Sequence, residues 1–190
     1  RIVGLLVIAA GVLLAYPVCA ATAAEPTRRV ISLNGAWQIA AGTMDRQPEQ
    51  FDRTIPVPGV VDMADPPFDQ VGNNTEFRDT GGHKFLTVPD PNYQAFWYRR
   101  TFTITGDVPS VAQLKITKAK FGTHVWLNGQ DLGQRWTSYT PNYFEVRDHL
   151  RGNSQPNELV IRLGPDPVTI GDRAANGYDF EKSRYLAGIY

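Results

Sequence analysis

Short runs in which apolar and polar residues alternate fill the chain from residue 36 onward, divided by Pro, Gly, Asn and Asp. Alternation with a period of two marks a strand that turns one face to a core. The pattern predicts strands at Ala36–Ala40, Thr54–Val57, Ala95–Ile104, Ala112–Thr117, Thr123–Leu127, Gln130–Gln134, Asn142–Val146 and Glu158–Leu163. No stretch keeps a 3.6-residue apolar period for long, so the chain reads as an all-β sandwich or barrel. Arg147-Asp-His-Leu150 can form one helical turn, which Gly152-Asn153 would end.

Within these runs the faces separate. Leu114 and Ile116 share one side of their strand and polar residues take the other. Val125 and Leu127 face one way and His124 and Trp126 the other, as in a central strand covered on both sides. Phe96, Trp97, Tyr98, Phe102 and Ile104 make the 95–104 strand the heaviest contributor to the core, and Trp126 is read as core with Trp97 and Phe102. Arg99 and Arg100 fall on opposite faces, so at least one must pair or cap a loop. Asn128-Gly129, between two alternating runs, is the strongest hairpin signal in the chain, because both residues tolerate the positive φ of a type I′ turn. The segment 58–94 is rich in Pro and Gly and reads as a long loop, a functional element or a plain insertion.

The first part of the chain follows other rules. Ile2 to Val18 is almost unbroken apolar sequence behind Arg1, and small residues follow it. Such a segment reads as a secretory signal peptide cleaved after Ala20, Ala23 or Ala24. Two other readings stand behind it: an uncleaved N-terminal anchor, for which the run is slightly short and ends in Pro17, and a lipid anchor on Cys19, which Tyr16-Pro17 fits poorly. The expected division is residues 1–24 as signal and 25–190 as one domain, exported to the periplasm or beyond the cell, with no membrane attachment after cleavage. The first residue is Arg and not Met, so residues are expected to precede it. The single cysteine, Cys19, would leave with the signal, which removes disulfides, thiol nucleophiles and thiolate metal sites. Lys plus Arg and Asp plus Glu number 19 each, so no basic field invites nucleic acid.

Chemistry-bearing motifs are sparse. His83, His124 and His149 lack metal-ligand spacing. No Gly-rich phosphate loop or Gly-x-Ser-x-Gly elbow occurs, and no cofactor is expected. Asn73-Asn-Thr75 is a glycosylation sequon, relevant to secretion by a eukaryote. Glu49, Glu76, Glu145, Glu158 and Glu181 sit at strand ends or in polar loops and read as solvated surface, so no catalytic residue is assigned. Trp136 and Tyr139 follow the hairpin in a polar loop, where a ring can be exposed to stack on a sugar.

Four stretches occur in order: Leu33-Asn-Gly-Ala-Trp37, Pro56-Val-Pro-Gly59, Phe96-Trp-Tyr-Arg-Arg-Thr-Phe102, and Thr123-His-Val-Trp-Leu-Asn-Gly129 with Leu132-Gly133 and Tyr139-Thr-Pro141 behind it. Together they resemble the N-terminal sugar-binding domain of glycoside hydrolase family 2, which includes β-galactosidases, β-glucuronidases and β-mannosidases. The resemblance runs from about Val30 to Tyr190. It implies a galactose-binding-like jelly-roll β-sandwich, followed in such enzymes by an immunoglobulin-like domain and a catalytic (β/α)8 barrel. It also implies a β-glycoside substrate and retaining chemistry by two barrel glutamates, whose carboxyl groups stand about 5–5.5 Å apart. Tyr185-Leu-Ala-Gly-Ile-Tyr190 is similar to the Gly-Ile segment that leads into a further strand, so the sandwich is expected to be a fragment without its last strand. Relatives carry a substrate-touching Asp six residues before that Gly. Lys182 holds the position here, which leaves Glu181 and Asp179 as the nearby carboxylate candidates for substrate binding. A stand-alone carbohydrate-binding module and a sandwich with no sugar contact are the other readings of the same pattern.

Overall fold

The computed structural model describes residues 28–68, 95–120, 122–164 and 187–190. The chain divides into two units, Arg1–Ile31 and Ser32–Tyr190, and the second carries every strand described here.

Eleven strands are found among the described residues: β1 (Gly35–Gly42), β2 (Arg53–Val57), β3 (Gly59–Val60), β4 (Ala95–Thr103), β5 (Gln113–Ile116), β6 (Ala119–Lys120), β7 (Thr123–Leu127), β8 (Gln130–Arg135), β9 (Asn142–Glu145), β10 (Pro156–Leu163) and β11 (Gly188–Ile189). Two single-turn 3₁₀ helices, η1 (Val61–Met63) and η2 (Arg147–His149), punctuate them. The strands form a six-stranded sheet in the order β2-β1-β4-β10-β7-β8, a three-stranded sheet β3-β11-β6 and a pair β5-β9. The named ladders are all antiparallel. The fold is the expected all-β sandwich.

Alternation in the sequence becomes two faces in space. Trp37, Ile39, Phe96, Tyr98, Val125, Leu127, Leu159, Ile161 and Leu163 turn to the inner face of the large sheet. They meet Val61, Ile116, Ala119, Phe144, Ala187 and Ile189 from the smaller sheets and η1, and close one continuous core. Burial at roughly 25 cal/mol per Å² of apolar surface makes this layer the main source of stability. The opposite face carries a second cluster of Ala40, Phe51, Ala95, Trp97 and Val160, with Met44 and Trp126 against it. Trp97 is buried as expected, but Trp126 and Phe102 are only half-buried, because each lies where its sheet face has incomplete cover.

Both arginines of β4 are engaged. Arg99 donates through Nε to Gln38 Oε1 at 2.9 Å and lies over the Phe51 ring, while Arg100 donates to Ala36 O at 2.9 Å over Trp37. The Trp37 indole donates to Leu33 O at 2.8 Å, so the Leu33–Trp37 motif closes on itself as it enters β1.

Asn128 and Gly129 have φ of 53° and 80°, as a type I′ turn demands. A bulge follows between Val125 and Trp126, where Val125 faces Gly133 and Trp126 faces Asp131. The opening of the 58–94 segment is not a loop. It contributes β3 and η1, a bridge between Thr54 and Asp65, and Phe68, which meets Phe96 edge-on at 5.2 Å.

Candidate functional site

The three-stranded sheet places side chains that the chain scatters widely. The Tyr190 N–H donates to Lys118 O at 2.8 Å, which extends the β11–β6 pairing by one residue on either side. Lys118 then holds its ammonium 4.6 Å from the Tyr190 ring centroid and 4.8 Å from that of Tyr139. Two residues on, Lys120 is 1% exposed and its ammonium lies 5.7 Å from the same Tyr139 ring. The Ala119 side chain between them enters the core, so the alternation of a strand sends both lysines to one side. Partly desolvated cation–ring contacts of this kind are worth roughly 0.5–2 kcal/mol each.

A polar clip holds the loop that supplies Tyr139. Asn142 is buried at the start of β9; its Oδ1 accepts from Thr137 Oγ1 at 2.5 Å and its Nδ2 donates to Thr137 O at 3.1 Å. Tyr139 is thereby held half-buried against the lysines, while Trp136, outside the clip, remains 41% exposed. The arrangement can hold and orient a partner through charge and ring faces. Among the described glutamates, Glu49, Glu145 and Glu158 are exposed, and Glu145 accepts from Gln113 across the β5–β9 pair.

A second cluster covers the outer face of the large sheet. His124 stacks on Trp126 at 4.0 Å, and Trp126 stacks on Trp97 at 5.2 Å. His124 Nε2 lies 2.7 Å from Asp131 Oδ1, which also accepts the Gly133 N–H at 2.6 Å inside the bulge. Partial desolvation pushes the Asp131 carboxyl up, but the Gly133 N–H, His124 and Arg162 outweigh it and hold the carboxyl below the usual range. Arg162 donates to Met44 O and reaches over Trp97, so this face is tied together by polar contacts. Among the described residues, His124 Nδ1 and Arg162 Nε are buried here without a hydrogen-bond partner, while the remaining contacts tie the face together as a structural one.

Residues 81–184 match the family model described as the glycosyl hydrolase 2 galactose-binding domain-like domain. The chain belongs to that family. No curated protein matches it. Among solved structures, a β-D-mannosidase from Dictyoglomus thermophilum is similar at 21% identity and a TM-score of 0.52, over 72% of this chain and 16% of that one. A Ruminococcus gnavus β-glucuronidase in complex with N1-substituted uronic isofagomine is similar at 16% identity and a TM-score of 0.50, over 70% and 21%. A Bifidobacterium dentium β-glucuronidase complexed with coumarin-3-O-glucuronide matches at 20% identity and 0.47, over 70% and 20%. These likenesses concern the fold, and the chain spans about a fifth of the length of each of those proteins.

In this glycosyl hydrolase 2 domain, the residues singled out from sequence meet different fates. Tyr139 lies in the lysine cluster; Trp136 is exposed nearby in sequence, with no ring partner among the described residues; Asp179 and Glu181 lie outside the described residues. Lys118, Lys120 and Tyr190 were not legible as site residues. The one available signal was the Lys118-Ala-Lys120 alternation, with two like charges on one side of a strand and a small apolar residue between. Trp136→Ala is expected to change stability by less than about 0.5 kcal/mol, as at other exposed sites. Tyr139→Ala should cost about 1–2 kcal/mol through its lost ring contacts. Paired urea titrations measure both.

Proposed function

We propose that this chain is the N-terminal, non-catalytic sugar-binding domain of an exported glycoside hydrolase that cleaves O-glycosyl bonds. The observation that carries the reading is the ring-and-cation cluster of Tyr139, Lys118 and Tyr190. It lies beside the Gly188–Ile189 strand of a domain that belongs to the glycosyl hydrolase 2 galactose-binding-like family. In this reading the cluster forms part of the wall that a β-glycoside meets. Hydrolysis belongs to a downstream (β/α)8 barrel, joined through an immunoglobulin-like domain. Residues 1–24 direct export and are removed, which their apolar run and small-residue flank support.

Exposed Trp136 favours a second reading, a stand-alone carbohydrate-binding module, because an exposed indole can stack on a sugar face. Titration of the chain, followed by NMR, with β-galactosides, β-glucuronides, β-mannosides and plant polysaccharides separates the two. Weak saturable binding of simple glycosides without turnover is expected, together with a mature N-terminus at residue 21, 24 or 25. Tight binding to a polysaccharide would favour the module. Turnover by the chain alone, or binding to no sugar at all, would overturn the proposal.

A further inference from the structure

The sequence holds three Asn-Gly pairs, and the fold treats two of them in opposite ways. An asparagine followed by glycine is open to attack on its own side chain, because the glycine nitrogen is not shielded by a Cβ and the backbone there turns freely. Asn34-Gly35 and Asn128-Gly129 have closely similar neighbours, in Leu33-Asn-Gly-Ala36 and Leu127-Asn-Gly-Gln130. A difference in their chemistry must therefore come from the fold. The third pair, Asn176-Gly177, lies outside the described residues.

At Asn128 the carboxamide is held at both polar atoms. Nδ2 donates to His149 O at 2.7 Å and to Asn157 Oδ1 at 2.9 Å, and Oδ1 accepts the Glu158 N–H at 2.9 Å. Asn34 is exposed, and among the described residues no hydrogen bond holds its carboxamide; only its backbone N–H is engaged, by Ser32 Oγ at 3.3 Å. The ladder with β2 begins one residue later, at Gly35 opposite Val57. Arg100 Nη1 lies 3.3 Å from where a Cβ would stand on Gly35, so a cation sits beside this peptide. Positive charge there favours the anionic nitrogen and oxygen that form during attack.

We infer that Asn34-Gly35 is a spontaneous modification site of the folded chain, converting to isoaspartate and aspartate, while the fold protects the matching pair at Asn128-Gly129. The Gly35 nitrogen gives up its proton and bonds to Asn34 Cγ; the Cγ–Nδ2 bond breaks, and ammonia leaves with that proton. Water then opens the cyclic imide. Cleavage between the Gly35 nitrogen and the Asn34 main-chain carbonyl carbon yields isoaspartate, and cleavage between that nitrogen and Cγ yields aspartate. Either product adds one negative charge to a chain whose formal net charge is 0. Isoaspartate also lengthens the backbone between Leu33 and Trp37, the segment that the Trp37 indole closes through its 2.8 Å bond to Leu33 O. The entry to β1 thus carries its own ageing reaction, which loosens the seat of a core tryptophan.

The test ages the full chain at neutral pH and physiological temperature, both folded and in urea. Mass spectrometry with electron-transfer fragmentation follows the peptides around 34 and 128 and separates isoaspartate from aspartate. In the folded chain Asn34 should convert about tenfold faster than Asn128 or more, since three hydrogen bonds must first release the Asn128 carboxamide. In urea the two rates should come within about twofold of each other, because the fold no longer separates them. The aged folded chain should unfold at lower urea than the fresh one, and Asn34→Gln aged in parallel should keep its midpoint. Conversion at Asn34 no faster than at Asn128 in the folded chain would overturn the inference, and so would a gap of the same size in urea. An aged chain with the midpoint of the fresh one would overturn the consequence for Trp37.

Discussion

Asn157→Ala is expected to destabilise the domain by about 3 kcal/mol, because unpaired buried polar groups cost roughly 1–3 kcal/mol each. The Asn157 side chain is 0% exposed at the start of β10 and has a full set of partners. Its Oδ1 accepts from the Arg151 N–H at 2.8 Å and from Asn128 Nδ2 at 2.9 Å. Its Nδ2 donates to Arg151 O at 2.9 Å and Gln155 O at 3.3 Å. Asn128 extends the network: Nδ2 also donates to His149 O at 2.7 Å, and Oδ1 accepts the Glu158 N–H at 2.9 Å. Two amides therefore join the β7–β8 turn, η2 and the first residues of β10. Alanine at 157 takes the side-chain partner from the Arg151 N–H, Arg151 O and Gln155 O, while Asn128 Nδ2 keeps only His149 O, and water can replace only some of these bonds. Urea unfolding followed by tryptophan fluorescence measures the loss. Asn128→Gly serves as the comparison, since glycine keeps the turn's positive φ and removes only the amide; about 1–2 kcal/mol is expected. The double variant should lose less than the sum, because the two amides share a bond. Strict additivity would show that the network is not a unit.

This network explains what could and could not be read from sequence. Asn128-Gly129 announced its turn because φ preference is local, and the turn forms with the expected geometry. The second use of Asn128, a bond to a side chain 29 residues away, has no local signature. Strands of four residues or more were legible because alternation needs several positions to repeat, as in Leu114 and Ile116 or across β4. Gly59–Val60, Ala119–Lys120 and Gly188–Ile189 are two residues each, too short for any period, and they are found only because pairing assembles them. They form one sheet, and the lysine cluster grows from it. The site was therefore least legible where the fold rests most on long-range contacts. Trp126 shows the complementary case: its size suggested core, but its face of the sheet is covered by a short loop and a histidine ring, and it remains half-buried.

Gly188→Ala should cost about 3 kcal/mol, at the upper end of the usual penalty for overpacking. Gly188 is the first residue of β11, paired with Val60 on one side and Lys120 on the other. A Cβ there would stand 2.4 Å from Gly59 O and 2.9 Å from Val60 Cα. Both obstacles are backbone, so no rotamer change relieves them, and β3 and β11 must move apart. That separation also threatens the Val61 N–H to Ala187 O bond at 2.9 Å and the seat of Ile189 in the core. Gly129→Ala is the informative control. Open space surrounds that position, and the only penalty is the positive φ, worth about 1–2 kcal/mol. The two variants should also differ in the site. Gly129→Ala leaves the lysine cluster undisturbed. Gly188→Ala displaces Tyr190, two residues on, whose N–H fixes Lys118 and whose ring covers it. Chemical shifts of the Tyr139 and Tyr190 rings in the folded variants read this directly. Ring shifts unchanged in Gly188→Ala would mean that the cluster does not depend on how β11 is seated.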